Sequence, residues 1–91
     1  MELNHQMQQE LRQLTELSAK LKEEKEFYEE LNENKRKAIK RGADVYELLS
    51  LRKSISDSDD RIASLKNMIL EHVRILAALT DAQFRTDGAK D

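Results

Sequence analysis

Apolar residues in the first half of the chain recur every seven positions, in two sets offset by three or four residues. One set is Met7, Leu14, Leu21 and Tyr28, and the other is Leu3, Leu17, Leu31 and Ala38. This spacing places the apolar side chains in a narrow stripe along one face of an α-helix. Charged residues interrupt the stripe at Glu10, Glu24 and Lys35. The pattern therefore predicts a long helix that needs a partner helix to be stable.

The second half carries a stronger repeat of the same kind. One set is Leu48, Ile55, Ile62, Ile69 and Leu76, and the other is Leu51, Ser58, Leu65, His72 and Leu79. Between the halves, Gly42 suits the left-handed position that ends a helix, and Asp44 suits the N-cap of the next one. Glu47 follows Asp44 at the spacing of a capping box. We therefore predict a first helix over about residues 2–41, a turn at 42–44, a second helix over about 45–82 and a polar tail at 83–91.

A connection this short requires the two helices to run antiparallel. With a turn centred on residue 43, the numbers of facing residues should sum to about 86. The pairs predicted by this register are Leu31 with Ile55, Leu21 with Leu65, Leu17 with Ile69, Met7 with Leu79, Tyr28 with Ser58 and Leu14 with His72. The predicted fold is all-α, an antiparallel two-helix coiled-coil hairpin, with a short third element or self-association left open.

The composition agrees with a coiled coil and excludes several classes of protein. The 91 residues are 37% charged and 38% hydrophobic, carry a net charge of -2, and contain no Cys, Pro or Trp. The small net charge argues against a nucleic-acid polycation, and the lack of Cys excludes disulfides and thiolate metal sites. No apolar run approaches the roughly 20 residues of a membrane span, and the N-terminal residues lack a signal-peptide pattern. We expect a cytoplasmic protein.

The sequence offers little that could perform catalysis. Its only histidines are His5 and His72, and no zinc-binding His-Glu-x-x-His, phosphate-binding loop or carboxylate cluster with ligand spacing is present. One pattern resembles the first helix of small all-α chorismate mutases, and it comprises Leu51, Arg52, Ile55, Asp59, Ile62 and Leu65. The further cationic residues that those enzymes need downstream are missing. We expect no enzymatic activity, no cofactor, no metal site and no small-molecule substrate.

Five cations surround the predicted turn, and no acidic residue lies between Asn34 and Ala43; they are Lys35, Arg36, Lys37, Lys40 and Arg41. Cations at a helix C-terminus gain about 0.3–1 kcal/mol each from the helix dipole, which explains part of this cluster. Five exceed that need, so we expect the tip to dock on an acidic protein surface. Nucleic acid is a less suitable partner, because no aromatic residue interleaves with the cations for base stacking.

Apolar residues outside the two stripes predict further contact surfaces. A single opposing helix covers a stripe about 100° wide, and Leu70, Val73 and Ile75 lie partly outside it. The segment around Leu11, a folded-back Phe84, a second copy of the chain or a different partner could cover them. A smaller outward set near the turn comprises Phe27, Val45 and Leu49.

Two families of helical chaperones resemble parts of the chain. The run 21–30, followed by Tyr46-Glu47-Leu48 and the second apolar stripe, is similar to tubulin-binding cofactor A over about residues 15–76. The proline and the third helix of that family are missing. This resemblance implies a chaperone that holds β-tubulin during assembly, with the helix faces near Tyr28 and Tyr46 in contact. The turn Arg41-Gly42-Ala43-Asp44 with Tyr46 resembles the small helical-hairpin chaperones of type III secretion, which implies masking of a needle subunit.

These patterns together predict a non-enzymatic assembly chaperone or adaptor that binds a protein partner. The alternative is a structural coiled-coil subunit of a homo- or hetero-oligomeric complex. The residues expected to contact the partner are Phe27, Tyr28, Lys35, Arg36, Lys37, Lys40, Arg41, Tyr46, Leu49, Leu70, Val73 and Ile75.

Overall fold

The computed structural model describes the backbone of residues 2–89 and the side chains of residues 4–85. Helix α1 spans Glu2–Lys40 and helix α2 spans Val45–Ala89. The two helices pack side by side as an antiparallel hairpin with extents of 72 × 15 × 14 Å. No strand occurs between residues 2 and 89, so the predicted all-α hairpin is confirmed. The side chain of Leu3, which opens the predicted first stripe, lies outside the described residues.

Helix α1 ends in a Schellman motif centred on Gly42. Gly42 has a φ of 74°, in the left-handed region. Its amide donates a hydrogen bond to the carbonyl of Ile39 at 3.2 Å, and the amide of Ala43 donates to the carbonyl of Ala38 at 2.9 Å. These two bonds satisfy carbonyl groups that the end of a helix would otherwise leave without partners. The sequence prediction of a glycine-terminated helix is confirmed.

Helix α2 begins with the predicted N-cap but without the reciprocal half of the capping box. The amide of Glu47 donates a hydrogen bond to Oδ1 of Asp44 at 2.9 Å. The carboxylate of Glu47 does not return to Asp44; it accepts hydrogen bonds from the guanidinium of Arg41, across the turn. The turn is therefore closed by a backbone motif, a cap and an ion pair.

Two polar pairs join the helices across the seam. The hydroxyl of Ser58 donates a hydrogen bond to the carboxylate of Glu24 at 2.9 Å, and Nδ1 of His72 is hydrogen-bonded to the carboxylate of Glu10. The residue numbers sum to 82 in both pairs and to 85 in the ion pair between Arg61 and Glu24. A glutamate side chain reaches about one turn along a seam, so these contacts are compatible with the predicted sum of about 86, which stays a prediction. The sequence analysis did not predict the two hydrogen-bonded pairs; a carboxylate in a seam needs hydrogen-bond partners, and Ser58 and His72 supply them.

The best-packed part of the seam extends from the turn to the middle of the hairpin. The buried side chains there are Leu31, Ala38, Ser58 and Ile62. Seam residues toward the open end of the hairpin, which is the end opposite the turn, are only half-buried; Leu14 and Leu76 are examples. The open end of the hairpin is therefore the part that further packing would stabilise most.

Helix α2 continues to Ala89, well past its predicted end near residue 82. The predicted polar tail is thus helical as far as Ala89, and Lys90 and Asp91 lie outside the described residues. Helix α2 has 45 residues and α1 has 39, so the end of α2 extends beyond Glu2. Phe84 lies near this end and does not fold back: its side chain is 78% exposed.

Candidate protein-binding surfaces

A polar cluster occupies the middle of the seam around Glu24. Ser58 is fully buried, and its hydroxyl and the Nε of Arg61 both donate to Oε1 of Glu24, at 2.9 and 2.7 Å. The hydrogen bond from Ser58 is the main cause that lowers the pKa of Glu24; desolvation opposes it, and the hydrogen bond and charge of Arg61 add to the lowering. The guanidinium of Arg61 also lies 5.9 Å from the centre of the Phe27 ring. Phe27, predicted to face a partner, is therefore partly covered by Arg61 of its own chain.

A second polar pair lies nearer the open end of the seam. The side chains of Glu10 and His72 are 17% and 26% exposed, and each occupies a seam position of its helix. Glu10 and Glu24, the two glutamates that interrupt the apolar stripe of α1, are therefore each paired with a polar residue in the stripe of α2. The sequence contained the signal for both pairs, because Glu10 and Glu24 are separated by the same interval as Ser58 and His72.

The five tip cations divide into paired and unpaired groups. Arg41 is bound to Glu47, whose hydrogen bond and charge raise the pKa of Arg41, and Arg36 lies 3.3 Å from Glu33. No carboxylate among the described residues lies within ion-pair distance of the three lysines of the tip, which are Lys35, Lys37 and Lys40. Lys37 and Lys40 are exposed, and Lys35 is half-buried. The positive charge available to a partner therefore comes mainly from lysine ammonium groups.

Exposed apolar side chains lie near these lysines along the chain, on both sides of the turn. They are Ile39, Val45, Tyr46 and Leu49, and the side chain of Tyr46 is 83% exposed. Sequence analysis missed Ile39, although an aliphatic residue within a run of cations was a visible signal. Tyr28, which the resemblance to tubulin-binding cofactor A placed in contact with a partner, is half-buried. We call the three lysines together with Ile39, Val45, Tyr46 and Leu49 the tip surface.

The predicted apolar face near the end of α2 divides into two flanks. Leu70, Val73 and Ile75 are all exposed, but Ile75 lies two residues beyond Val73 and so points to the other side of the helix. A shallow groove beside Val73 is lined by Val73, Leu76, Ala77, Thr80, Asp81 and Phe84. Leu11 of α1 is itself exposed and leaves Leu70 and Val73 open to solvent. This part of α2 is a second candidate contact surface.

Between residues 2 and 89, no group of three or more His, Asp or Glu side chains is arranged to hold a metal ion. Neither helix, over its described length, is apolar enough for long enough to cross a bilayer.

No protein-family model, curated protein or solved structure matches this chain. The resemblances to tubulin-binding cofactor A and to the type III secretion chaperones therefore stay predictions from the sequence. The identity that the observations support is an architectural one: an antiparallel helical hairpin with a basic, partly apolar tip.

Proposed function

We propose that this chain is a cytoplasmic, non-enzymatic protein-binding hairpin whose tip surface docks on an acidic surface of a partner protein, as an adaptor or assembly chaperone. The observation that carries the proposal is the combination at the tip of three lysines without ion partners and four exposed apolar side chains. Ion pairing inside the hairpin does not neutralise these lysines, so their charge is available to a partner.

The two kinds of side chain have different parts in such an interface. Lysines at the rim steer an acidic partner toward the tip and fix its orientation, more than they add to affinity. Burial of apolar and aromatic anchors supplies most of the binding free energy, and tyrosine is among the residues that dominate protein interfaces. Tyr46 has this role here, because it is the most exposed aromatic side chain of the tip.

The turn holds the tip surface in a fixed geometry. The Schellman bonds at Gly42, the N-cap at Asp44 and the Arg41–Glu47 ion pair restrain the backbone that connects the helices. A restrained surface loses less conformational entropy on binding than a mobile loop does. The hairpin is therefore suited to present a small, preorganised binding surface at the end of a long arm.

The test replaces the tip lysines and measures partner capture. In the first variant Lys35, Lys37 and Lys40 become Glu; the matched control makes the same charge change at the exposed Arg52, Lys53 and Lys66 of α2. Each tagged protein is incubated with the same cell extract at low salt, and captured proteins are quantified by mass spectrometry. We expect the tip variant to lose acidic partners that the wild type and the control retain. Equal capture by the tip variant, with helicity intact by circular dichroism, would refute the proposal.

The sequence resemblances indicate which purified partners to test first. The resemblance to tubulin-binding cofactor A makes β-tubulin the first candidate, and the resemblance to type III secretion chaperones makes a needle subunit the second. A structural coiled-coil subunit is the alternative function, and it is favoured by the open apolar side chains at Leu70, Val73 and Phe84.

A further inference from the structure

A second heptad stripe lies on a flank of α2, beside the seam with α1. Leu70, Ala77 and Phe84 recur at intervals of seven, and Val73 stands at the intermediate position. All four are exposed. A stripe of this period is typical of a surface that packs against another helix. Helix α1 packs along the adjacent face of α2 and leaves these four side chains exposed, so α1 does not cover the stripe.

The neighbouring charges indicate which helix fits this outer stripe. Along it the charged residues occur in the order Glu71, Arg74, Asp81 and Arg85, and residues 75–80 between them carry no charge. From Glu71 to Arg85 the signs of the four charges are negative, positive, negative and positive. The same series counted from Arg85 back to Glu71 has the opposite sign at each place. Arg74 and Glu71 make no ion pair within the described chain, and the pair between Arg85 and Asp81, at 3.1 Å, is exposed and free to exchange.

We propose that a second copy of this chain packs antiparallel on the outer stripe of α2, with the two-fold axis close to Ala77. In this arrangement Arg74 of each copy is level with Asp81 of the other, and Glu71 is level with Arg85. Every charge then meets its opposite, and each pair occurs twice because the interface is isologous. A parallel arrangement would place each charge level with its own copy, which is repulsive.

The apolar residues of the outer stripe fit the same arrangement. The register that aligns the charges places Phe84 of one copy between Leu70 and Val73 of the other, so the most exposed aromatic side chain of this region enters a gap between two aliphatic ones. At the centre, the small side chain of Ala77 lets the two helices approach closely.

This dimer would carry one tip surface at each end. About 35 residues separate Gly42 from the two-fold axis, so the tips lie roughly 105 Å apart at the helical rise per residue. A protein with two tip surfaces could bind two partners, or two sites on one assembly, with increased avidity. This consequence rests on the proposed function, whereas the dimer itself does not.

The experiment measures molecular mass by sedimentation equilibrium. The monomer is 10.6 kDa, and we expect the wild type to have twice that mass at micromolar concentration. Phe84→Ser should yield monomers. Arg74→Glu should weaken the dimer about tenfold, since it replaces two ion pairs by two repulsions, and Arg74→Glu with Asp81→Arg should recover most of this loss. The matched control Arg52→Glu should change nothing.

Each possible result decides the question. A wild type that stays at 10.6 kDa up to several hundred micromolar overturns the proposal. Dimers that are insensitive to both Phe84→Ser and Arg74→Glu associate through another surface and also overturn it. The tip variant, with Lys35, Lys37 and Lys40 changed to Glu, should still dimerise. A monomer that captures a partner through its tip would therefore refute only the dimer, and a dimer without partner capture would refute only the proposed function.

Discussion

The hydroxyl of Ser58 donates a hydrogen bond to the carboxylate of Glu24 across the helix seam, at 2.9 Å. Ser58 is the one fully buried polar side chain among the described residues, and Glu24 is one of the charged residues that interrupt the first apolar stripe. A slip of the helices by one heptad would place Glu24 opposite Leu51 or Leu65, which cannot donate to it. A carboxylate without donors in a seam is destabilising, so the pair selects one register among several that the aliphatic residues allow.

Replacing Ser58 by Ala should raise the pKa of Glu24 toward its ordinary value, because the hydrogen bond from Ser58 is the main cause of the lowering. The measurement is the carboxyl carbon chemical shift of Glu24 followed by NMR as a function of pH. Ser56→Ala, an exposed change on the same helix, serves as the control and should leave the titration unchanged. A titration of Glu24 that does not move in Ser58→Ala would contradict the role assigned to the hydroxyl.

The lowered pKa of Glu24 predicts that the hairpin loses stability in acid. Because the folded-state pKa lies below the ordinary value of 4.5, the unfolded chain binds more protons than the folded chain as the pH falls below 4.5. The contribution of Glu24 is therefore complete above that pH and lost as the pH falls through the folded-state pKa. Urea denaturation between pH 3 and pH 6 would measure it. Glu24→Gln should make this dependence shallower, and an equally steep dependence in that variant would assign the effect to other carboxylates.

Ile62→Asp should unfold the hairpin. Ile62 is one of the few buried aliphatic residues of the seam, and the substitution both removes its packing and places a charge there. The combined cost should exceed about 4 kcal/mol, which is comparable to the whole stability of a domain this small. Far-UV circular dichroism would show the loss of helix. Ala63→Asp puts the same charge on the exposed neighbouring position and should stay helical; a helical Ile62→Asp would mean that Ile62 does not lie in the seam.

Gly42→Ala should destabilise the hairpin by about 1 kcal/mol, since the residue must keep a left-handed conformation that costs little only for glycine. Beyond the two neighbouring residues no atom lies within 4 Å of the added Cβ, so the cost comes from the local backbone conformation and not from tertiary packing. The shift in urea midpoint measures it. Gly42→Asn should lose less, because asparagine tolerates the left-handed region better than alanine. Equal midpoints for wild type and Gly42→Ala would show that this conformation is not needed at the turn.

The hairpin could be predicted from the sequence because its determinants are local. Heptad spacing, a glycine that suits a left-handed turn and an N-cap aspartate act within a few residues of where they stand. The end of α2 was predicted too early because the seam pattern fades near the level at which α1 begins. The helix continues nonetheless, since Ala82, Gln83 and Arg85 are compatible with helix.

The polar pairs of the seam and the state of the tip were not predicted in the same way. The spacing of Glu10, Glu24, Ser58 and His72 was a visible signal, but which side chains meet depends on how each carboxylate reaches across the seam. The cations of the tip were evident, but their division into paired arginines and unpaired lysines depends on side-chain geometry. The partners of Arg36 and Arg41 are close in sequence, yet spacing alone does not show which ion pairs form.

The hairpin itself is tested most directly by a distance between its two arms. The chain has no cysteine, so Ser18→Cys and Ser64→Cys can be spin-labelled together and the distance measured by double electron–electron resonance, with unlabelled protein in excess to suppress signals between copies. Both positions are exposed, and they lie at nearly the same height along the hairpin. We predict a separation of roughly 15–30 Å, because packed helix axes lie about 8–10 Å apart and the labels add to this. A distance near 70 Å, as in one continuous helix through Gly42, would contradict the account.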